Sequence, residues 1–253
     1  MVHIVGAGAG DPELITVKGK RLLEGADVVV YAGSLVNPEL LKYCRADAKL
    51  LDSAYMTLDE VIYVIEQAEA EGLNTVRLHT GDPALYGAIQ EQIDELEHRG
   101  IKFDITPGVS SFLAAAASLR QEYTLPGITQ TVIITRQSGR TPVPTRENLK
   151  ELARHQSTMC IFLSIKMIDE VVSDLIEGGF APDTPIAVVE RASWSDEKII
   201  RGTLETIADQ IRAEQIERTA MIVVGHCLNS QPGNYLPSNL YSPKFSHMFR
   251  RAK

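Results

Sequence analysis

The chain has 253 residues, 44% of them hydrophobic and 23% charged, an ordinary globular composition with room for one large domain or two of common size. Twenty-five Lys and Arg against 33 Asp and Glu leave a formal net charge of −8, which argues against general nucleic-acid binding and requires any small anionic ligand to find a local basic site. Cys44, Cys160 and Cys227 form no C-x-x-C, the six His form no H-x-x-x-H pair, and no apolar run nears the roughly 18 residues of a membrane span, so no disulfide framework, metal or membrane partner is expected.

Strand-like runs alternate with helical ones along the chain. Val2–Val5 reads as a buried strand leading into VGAGAGDPELITVKG, residues 5–19. A strand, a Gly-rich turn and a helix usually bring something polar close to the backbone. The dinucleotide fingerprint is a poor match, however: Gly6, Gly8 and Gly10 lack the G-x-G-x-x-G spacing, and Asp11 stands where the third glycine belongs. The next strand, Asp27–Tyr31, also ends without the carboxylate that would hold a ribose. Between the two strands, Glu13–Glu24 reads as a helix with Leu14, Val17, Leu22 and Leu23 on one stripe.

Further on, Leu58–Ala70 reads as a helix opened by a Thr57/Glu60 capping box. Thr75–His79 is a strand, Leu85–Glu97 a helix, Lys102–Ile105 a strand and Val109–Ala117 an alanine-rich helix. The pattern breaks across Leu119–Ile128, which sets a domain boundary between 1–118 and 119–253. A second series follows: strand Thr131–Thr135, loop Gln137–Pro144, helix Arg146–Arg154, strand Thr158–Leu163 and helix Met167–Glu177. Strand Pro185–Glu190, its hairpin partner Glu197–Gly202, helix Thr203–Arg212 and strand Ala220–Val224 complete it, and from Asn229 the chain is Pro- and Ser-rich with basic residues, an exposed tail or an irregular cap. The expectation is two α/β domains with mostly parallel or mixed sheets and a cleft between them.

Two more segments carry chemistry. HTGDPALYG, residues 79–87, sits past the carboxyl end of a strand, where open α/β sheets bind ligands. Gly81 admits a ligand to the backbone, and Asp82 serves either as an acceptor for it or as a cap for the following helix. TPGVSS, residues 106–111, places Ser110 and Ser111 at a helix start, where they serve as caps or as polar ligands.

VGAGAGDPELITVKG, HTGDPALYG and TPGVSS, together with FLS at 162–164, VVERAS at 188–193 and TAMIVVGH at 219–226, resemble the S-adenosylmethionine-dependent tetrapyrrole methylases of the cobalamin and sirohaem pathways. YAGSLV at 31–36 and the tail LYSPKFSHMFR at 240–250 resemble the precorrin-4 C11-methyltransferase branch. Ala32 replaces the aspartate typical of members acting on uroporphyrinogen III, and Ala9 replaces a common proline.

The resemblance implies methyl transfer from S-adenosyl-L-methionine to C11 of precorrin-4 or cobalt-precorrin-4, leaving S-adenosyl-L-homocysteine, in corrin-ring biosynthesis. Position by position it implies cofactor contacts at Ala9, Thr80, Gly81, Asp82, Leu85, Ser110, Ser111, Leu163, Ala192 and Ala220, with the Gly6–Gly10 loop lining the substrate entrance. It further implies a homodimer. The sulfonium methyl is already activated and the acceptor carbon is enamine-like, so the protein chiefly aligns them in a dry cleft. No proton acceptor is assigned. Because the substrate carries several carboxylates, Arg136, Arg140, Lys166 and Arg191 are the candidates to hold it. The N-terminus enters a strand with no signal-peptide core, so a cytoplasmic location is expected. The competing readings are another tetrapyrrole C-methyltransferase, a diphthine synthase or ribosomal-RNA methylase, an NAD-dependent oxidoreductase, and a non-catalytic corrinoid-binding module.

Overall fold

The structure, a computed structural model, describes residues 1–230, Gly233 and 235–252; Gln231, Pro232, Asn234 and Lys253, all in the expected tail, lie outside the described residues. The chain divides into two units, Met1–Ala114 with Arg191–Glu197, and Ala115–Glu190 with Lys198–Lys253.

The first unit holds strands β1 (Val2–Gly6), β2 (Val28–Tyr31), β3 (Lys49–Asp52), β4 (Thr75–His79) and β5 (Phe103–Thr106). All pair in parallel, in the order β3-β2-β4-β1-β5. A parallel sheet is covered on both faces, so its strands are near-continuous apolar runs, as in the buried Val28-Val29-Val30. On one face Leu23, from helix α1 (Val17–Glu24), packs with Val5, Val29, Val76, Leu78 and Leu40. On the other, Val61, Ile62 and Ile65 of α2 (Leu58–Ala70) and Leu96 of α3 (Gln90–His98) pack with Val2, Val28 and Val30. Each fully buried Leu or Ile contributes roughly 1.5–3 kcal/mol. The Thr57/Glu60 capping box opens α2 where the sequence places it.

In the first unit, α1 and α3 begin several residues later than their hydrophobic pattern suggests. Asp11 and Pro12 start a short 3-10 turn, Pro12–Leu14; Ile15 then extends, and Thr16 caps α1 by accepting from the Gly19 N–H. α3 starts at Gln90 rather than Leu85, because Tyr86 and Ala88 take left-handed φ values of 56° and 48° that no α-helix continues through. The short edge strand β3 and the 3-10 turn Pro38–Tyr43 lie in a stretch whose sequence gives no periodic signal.

Helix α4 (Ser111–Leu119) leads into the second unit. That unit holds β6 (Val132–Arg136), α5 (Leu149–Ala153), β7 (Thr158–Phe162), α6 (Ile168–Glu177), β8 (Pro185–Glu190), β9 (Lys198–Thr203), α7 (Ile207–Ala213) and β10 (Ala220–Val224). The sheet order is β6-β7-β10-β8-β9, and only β6–β7 is parallel. α5 starts at Leu149 rather than Arg146, since Thr145–Glu147 form a 3-10 turn and Asn148 caps the helix in an extended conformation. Met159, Ile161, Ile186, Val188, Ile222 and Val224 pack against Leu149, Val171, Leu175, Ile207 and Ile211 of the helices. β9 is the hairpin partner expected for β8.

Candidate functional site

In the first unit the neighbouring strands β4 and β1 send the chain in opposite directions across the sheet, β1 toward β2 and β4 toward β5. Open α/β sheets bind ligands outside the carboxyl ends of strands at such reversals. The loops after β1, β4 and β5 meet there through their main chains. Gly8 and Gly81, with φ of 79° and 59°, form an antiparallel bridge in which each N–H donates to the other's carbonyl, at 3.3 and 2.8 Å. A Cβ on Gly108 would lie 2.1 Å from the Gly81 oxygen, and one on Gly6 would lie 2.6 Å from Gly108 Cα, so the junction closes only with glycine.

Asp82 fastens this junction: Oδ2 accepts from the Gly108 N–H at 2.9 Å and Oδ1 from the Ala84 N–H at 2.8 Å. Asp82 does not cap the following helix, since α3 starts only at Gln90; its carboxylate fastens main-chain N–H groups instead. A Cβ on Gly81 would stand 3.6 Å from Ser110 Cα and 3.8 Å from the Ser111 nitrogen, so Thr80–Asp82 and the start of α4 are neighbours. Thr80 Oγ1 donates to the Leu35 carbonyl at 3.4 Å, Ser110 is buried, and Leu85 is half-buried.

The Gly-rich turn does not feed an α-helix directly. Asp11 Oδ1 accepts from the Glu13 N–H, capping the 3-10 turn, and its own N–H donates to Ser193 Oγ at 3.0 Å. Asn37 Nδ2 donates to the Gly10 carbonyl at 2.8 Å. Trp194, the one tryptophan of the chain, covers the turn: its Nε1 donates to the Ala9 carbonyl at 3.2 Å, and a Cβ on Gly10 would fall 2.1 Å from its ring. This segment also carries Arg191, whose guanidinium stacks 4.1 Å from the Trp194 ring centre with Nε 2.7 Å from Asp196 Oδ1, and the buried Ala192. The structure therefore groups Ala9, Thr80, Gly81, Asp82, Ser110, Ser111, Arg191 and Ala192 around connected loops of one unit. A helix N-terminus poised for pyrophosphate is absent from this turn, because Asp11 and Trp194 occupy its approaches.

Behind the junction, β4 buries Arg77 and His79 on the same side. Arg77 Nε donates to Gln92 Oε1 at 3.0 Å and Nη1 to the Val30 carbonyl at 3.2 Å, while Gln92 Nε2 donates to the Ala88 carbonyl at 3.0 Å. The pair thereby ties the left-handed segment after the Gly81 turn to the central strand. Burial lowers the Arg77 pKa to about 10, and burial, with Arg77 nearby, lowers His79 to about 3. His79 is thus a neutral imidazole at pH 7. Sequence patterning missed Trp194, Arg77 and Gln92; the only available signals were a lone tryptophan and a cation inside an apolar strand.

In the second unit, β6 and β7 end side by side with Arg136 opposite Phe162. Leu163 follows at φ 55° with its side chain 66% exposed, a conformation that costs an apolar L-residue on the order of 1–2 kcal/mol. Buried Ser164 holds the bend, donating from Oγ to the Phe162 carbonyl at 2.6 Å and accepting from the Gln137 N–H at 2.8 Å. β10 runs antiparallel to β7 with Ile222 opposite Ile161, so the register carries half-buried Ala220 to the level of Leu163.

The basic candidates of this unit differ in their surroundings. The Arg136 guanidinium donates to the carbonyls of Gln137, Thr141 and Pro142 at 3.3, 2.8 and 3.0 Å, folding its own loop. Arg140 is exposed on that loop, with no ion-pair partner among the described residues. Lys166 is exposed, 3.7 Å from Glu217 Oε2, a loose surface pair of small energy. Among the described residues no group of three or more His, Cys, Asp and Glu could hold a metal ion, and no helix is long and apolar enough to cross a membrane.

The family model for tetrapyrrole (corrin/porphyrin) methylases matches residues 1–208. A cobalt-precorrin-4 C(11)-methyltransferase of Methanocaldococcus jannaschii is 57% identical over 251 residues, 99% of this chain and 96% of that protein. The X-ray structure of a cobalamin biosynthetic enzyme, a cobalt precorrin-4 methyltransferase, superimposes with a TM-score of 0.89 at 47% identity, covering 90% of this chain and 96% of that one. A uroporphyrin-III C-methyl transferase of Thermus thermophilus complexed with S-adenyl homocysteine matches with a TM-score of 0.74 at 26% identity, over 90% of this chain and 92% of that one. The match of the family model over residues 1–208 and the 57% identity along 99% of the chain show one thing: the chain belongs to the tetrapyrrole (corrin/porphyrin) methylase family.

Proposed function

We propose that this protein transfers a methyl group from S-adenosyl-L-methionine to C11 of cobalt-precorrin-4 or its metal-free counterpart, a step in building the corrin ring. The observation that carries this reading is the 57% identity, over 99% of the chain, with a cobalt-precorrin-4 C(11)-methyltransferase. The donor set supports S-adenosylmethionine. Main-chain groups of the Gly81 turn, small polar side chains at Thr80, Ser110 and Ser111, and apolar Leu85 suit a ligand with a hydroxylated, an aromatic and a zwitterionic part. The start of α4 suits the ligand's carboxylate. When bound, this cofactor supplies an already activated methyl group.

The chain's own residues bind, orient and exclude water. Ala9, Gly81, Asp82, Ala192 and Ala220 are assigned to the same cofactor, Asp82 through its hold on Gly108. Arg140 and Lys166 are assigned to the substrate's carboxylates, with Arg191. Arg136 contributes by shaping the loop that presents Arg140. No residue is assigned as proton acceptor. An acidic chain with no membrane-crossing helix among its described residues suits a cytoplasmic enzyme. The exposed apolar hollow of Leu51, Met56, Tyr63 and Val64 suits a second copy.

Incubation with isotope-labelled S-adenosylmethionine and cobalt-precorrin-4 tests the reading. Label should enter the macrocycle, and S-adenosylhomocysteine, but not NADH, should raise Tm. Stabilisation by NADH alone would overturn it.

A further inference from the structure

The C-terminal segment 235–252 belongs to neither sheet, yet it is folded on itself. Arg250 Nη2 donates to the carbonyls of Leu240 and Ser242 at 2.6 and 2.8 Å, His247 and Arg250 form a bridge, and Ser238 caps the turn Asn239–Tyr241. At its base the Leu236 N–H donates to the Pro126 carbonyl at 3.1 Å.

Two properties set the segment apart. Five of the chain's 25 Lys and Arg lie beyond Glu217, and none of its 33 Asp and Glu does. In this acid-free stretch Tyr241, Met248 and Phe249 are 80%, 89% and 86% exposed, with Phe245 exposed beside them. Large apolar side chains exposed within one short segment offer a binding face. With Arg250 spent on the backbone, Lys244 and Arg251 are exposed and have no ion-pair partner among the described residues.

Exposed rings beside unpaired cations fit one ligand chemistry: a flat ring, apolar across its plane and anionic at its rim. An acidic protein surface would satisfy Lys244 and Arg251 but offers no plane for the rings. We propose that 235–252 is a recognition element for the carboxylate-bearing macrocycle. This rests on the tetrapyrrole reading above.

Uroporphyrin III, a planar polycarboxylate, is the probe, with Kd measured by fluorescence on the full chain. The variants are Lys244→Glu with Arg251→Glu, and Phe249→Ser; these side chains make no hydrogen bond or ion pair among the described residues. The double reversal removes both charge-assisted contacts and should raise Kd at least about tenfold and flatten its salt dependence. Phe249→Ser should raise Kd severalfold, and S-adenosylhomocysteine affinity by calorimetry should be unchanged for both. A Kd unchanged in both variants overturns the proposal, as does a change in oligomer mass with Kd constant, which would assign the segment to copy-to-copy contact. Failure of the unmodified chain to bind uroporphyrin while it binds S-adenosylhomocysteine overturns the tetrapyrrole reading itself.

Discussion

The two sheets finish the loops at these strand ends in opposite ways. In the parallel sheet the loops after β1, β4 and β5 hold one another by main chain, through Gly6, Gly8, Gly81 and Gly108, with the Asp82 carboxylate as the clasp. In the mixed sheet the loops after β6 and β7 are held by side chains: Arg136 on three carbonyls, and the Ser164 hydroxyl between the Phe162 carbonyl and the Gln137 N–H. A main-chain junction leaves N–H and carbonyl groups next to an approaching ligand but has no room for added atoms. A side-chain-held loop tolerates added atoms and fails when a donor is removed.

The sharpest break of this contrast is a matched pair of additions. Gly108→Val should cost about 3 kcal/mol or more in denaturant unfolding, because backbone surrounds the site on every side. Gly139→Ala, whose Cβ would meet only the flexible end of Met167 at 3.4 Å, should stay within about 0.5 kcal/mol. Equal costs would erase the distinction between the two regions.

Next in size is a pH effect confined to the first sheet. Burial holds His79 neutral with a folded pKa near 3, below its unfolded value, so the unfolded chain takes up this proton first. The stability it contributes is complete above about pH 6.5 and falls by up to about 1.4 kcal/mol per pH unit toward pH 3. Denaturant titrations at pH 7 and pH 5 should show this slope, and His79→Phe should flatten it.

Smaller effects belong to the second sheet's loop and to the cover over the Gly-rich turn. Arg136→Ala should cost about 1–2 kcal/mol and raise substrate KM severalfold. Arg136→Lys should behave the same way, since it keeps the charge but loses the fork that spans Thr141 and Pro142. A lysine variant with normal KM would mean that charge rather than loop shape matters there. Trp194→Phe, which gives up only the hydrogen bond to Ala9 and keeps a ring under Arg191, should cost about 1 kcal/mol by Tm.

The same contrast explains what could be read from the chain. β4, β8, β10 and the capped start of α2 lie where their residues say, because β-branched runs and a Thr-x-x-Glu box are local signals. Glycines and prolines also marked the three meeting loops. The four-residue edge strand Lys49–Asp52 has no periodicity to detect, and the late start of α3 follows from left-handed Tyr86 and Ala88, held through Arg77 and Gln92 from distant β4. Trp194 returns to Ala9 across 185 positions, a closure no local pattern encodes. In sequence Asp82 fits a ligand acceptor and a helix cap equally well; only the fold brings the Gly108 N–H to its Oδ2. For Arg136, only the fold shows that its charge is turned onto its own loop.

The central claim is regiochemical, and one measurement tests it most directly. Carbon-labelled S-adenosylmethionine, cobalt-precorrin-4 and the protein are incubated together, and the product's new methyl group is located by NMR. A single labelled methyl on C11 is expected. A label at another ring carbon, or none in a sample that binds S-adenosylhomocysteine, would contradict it.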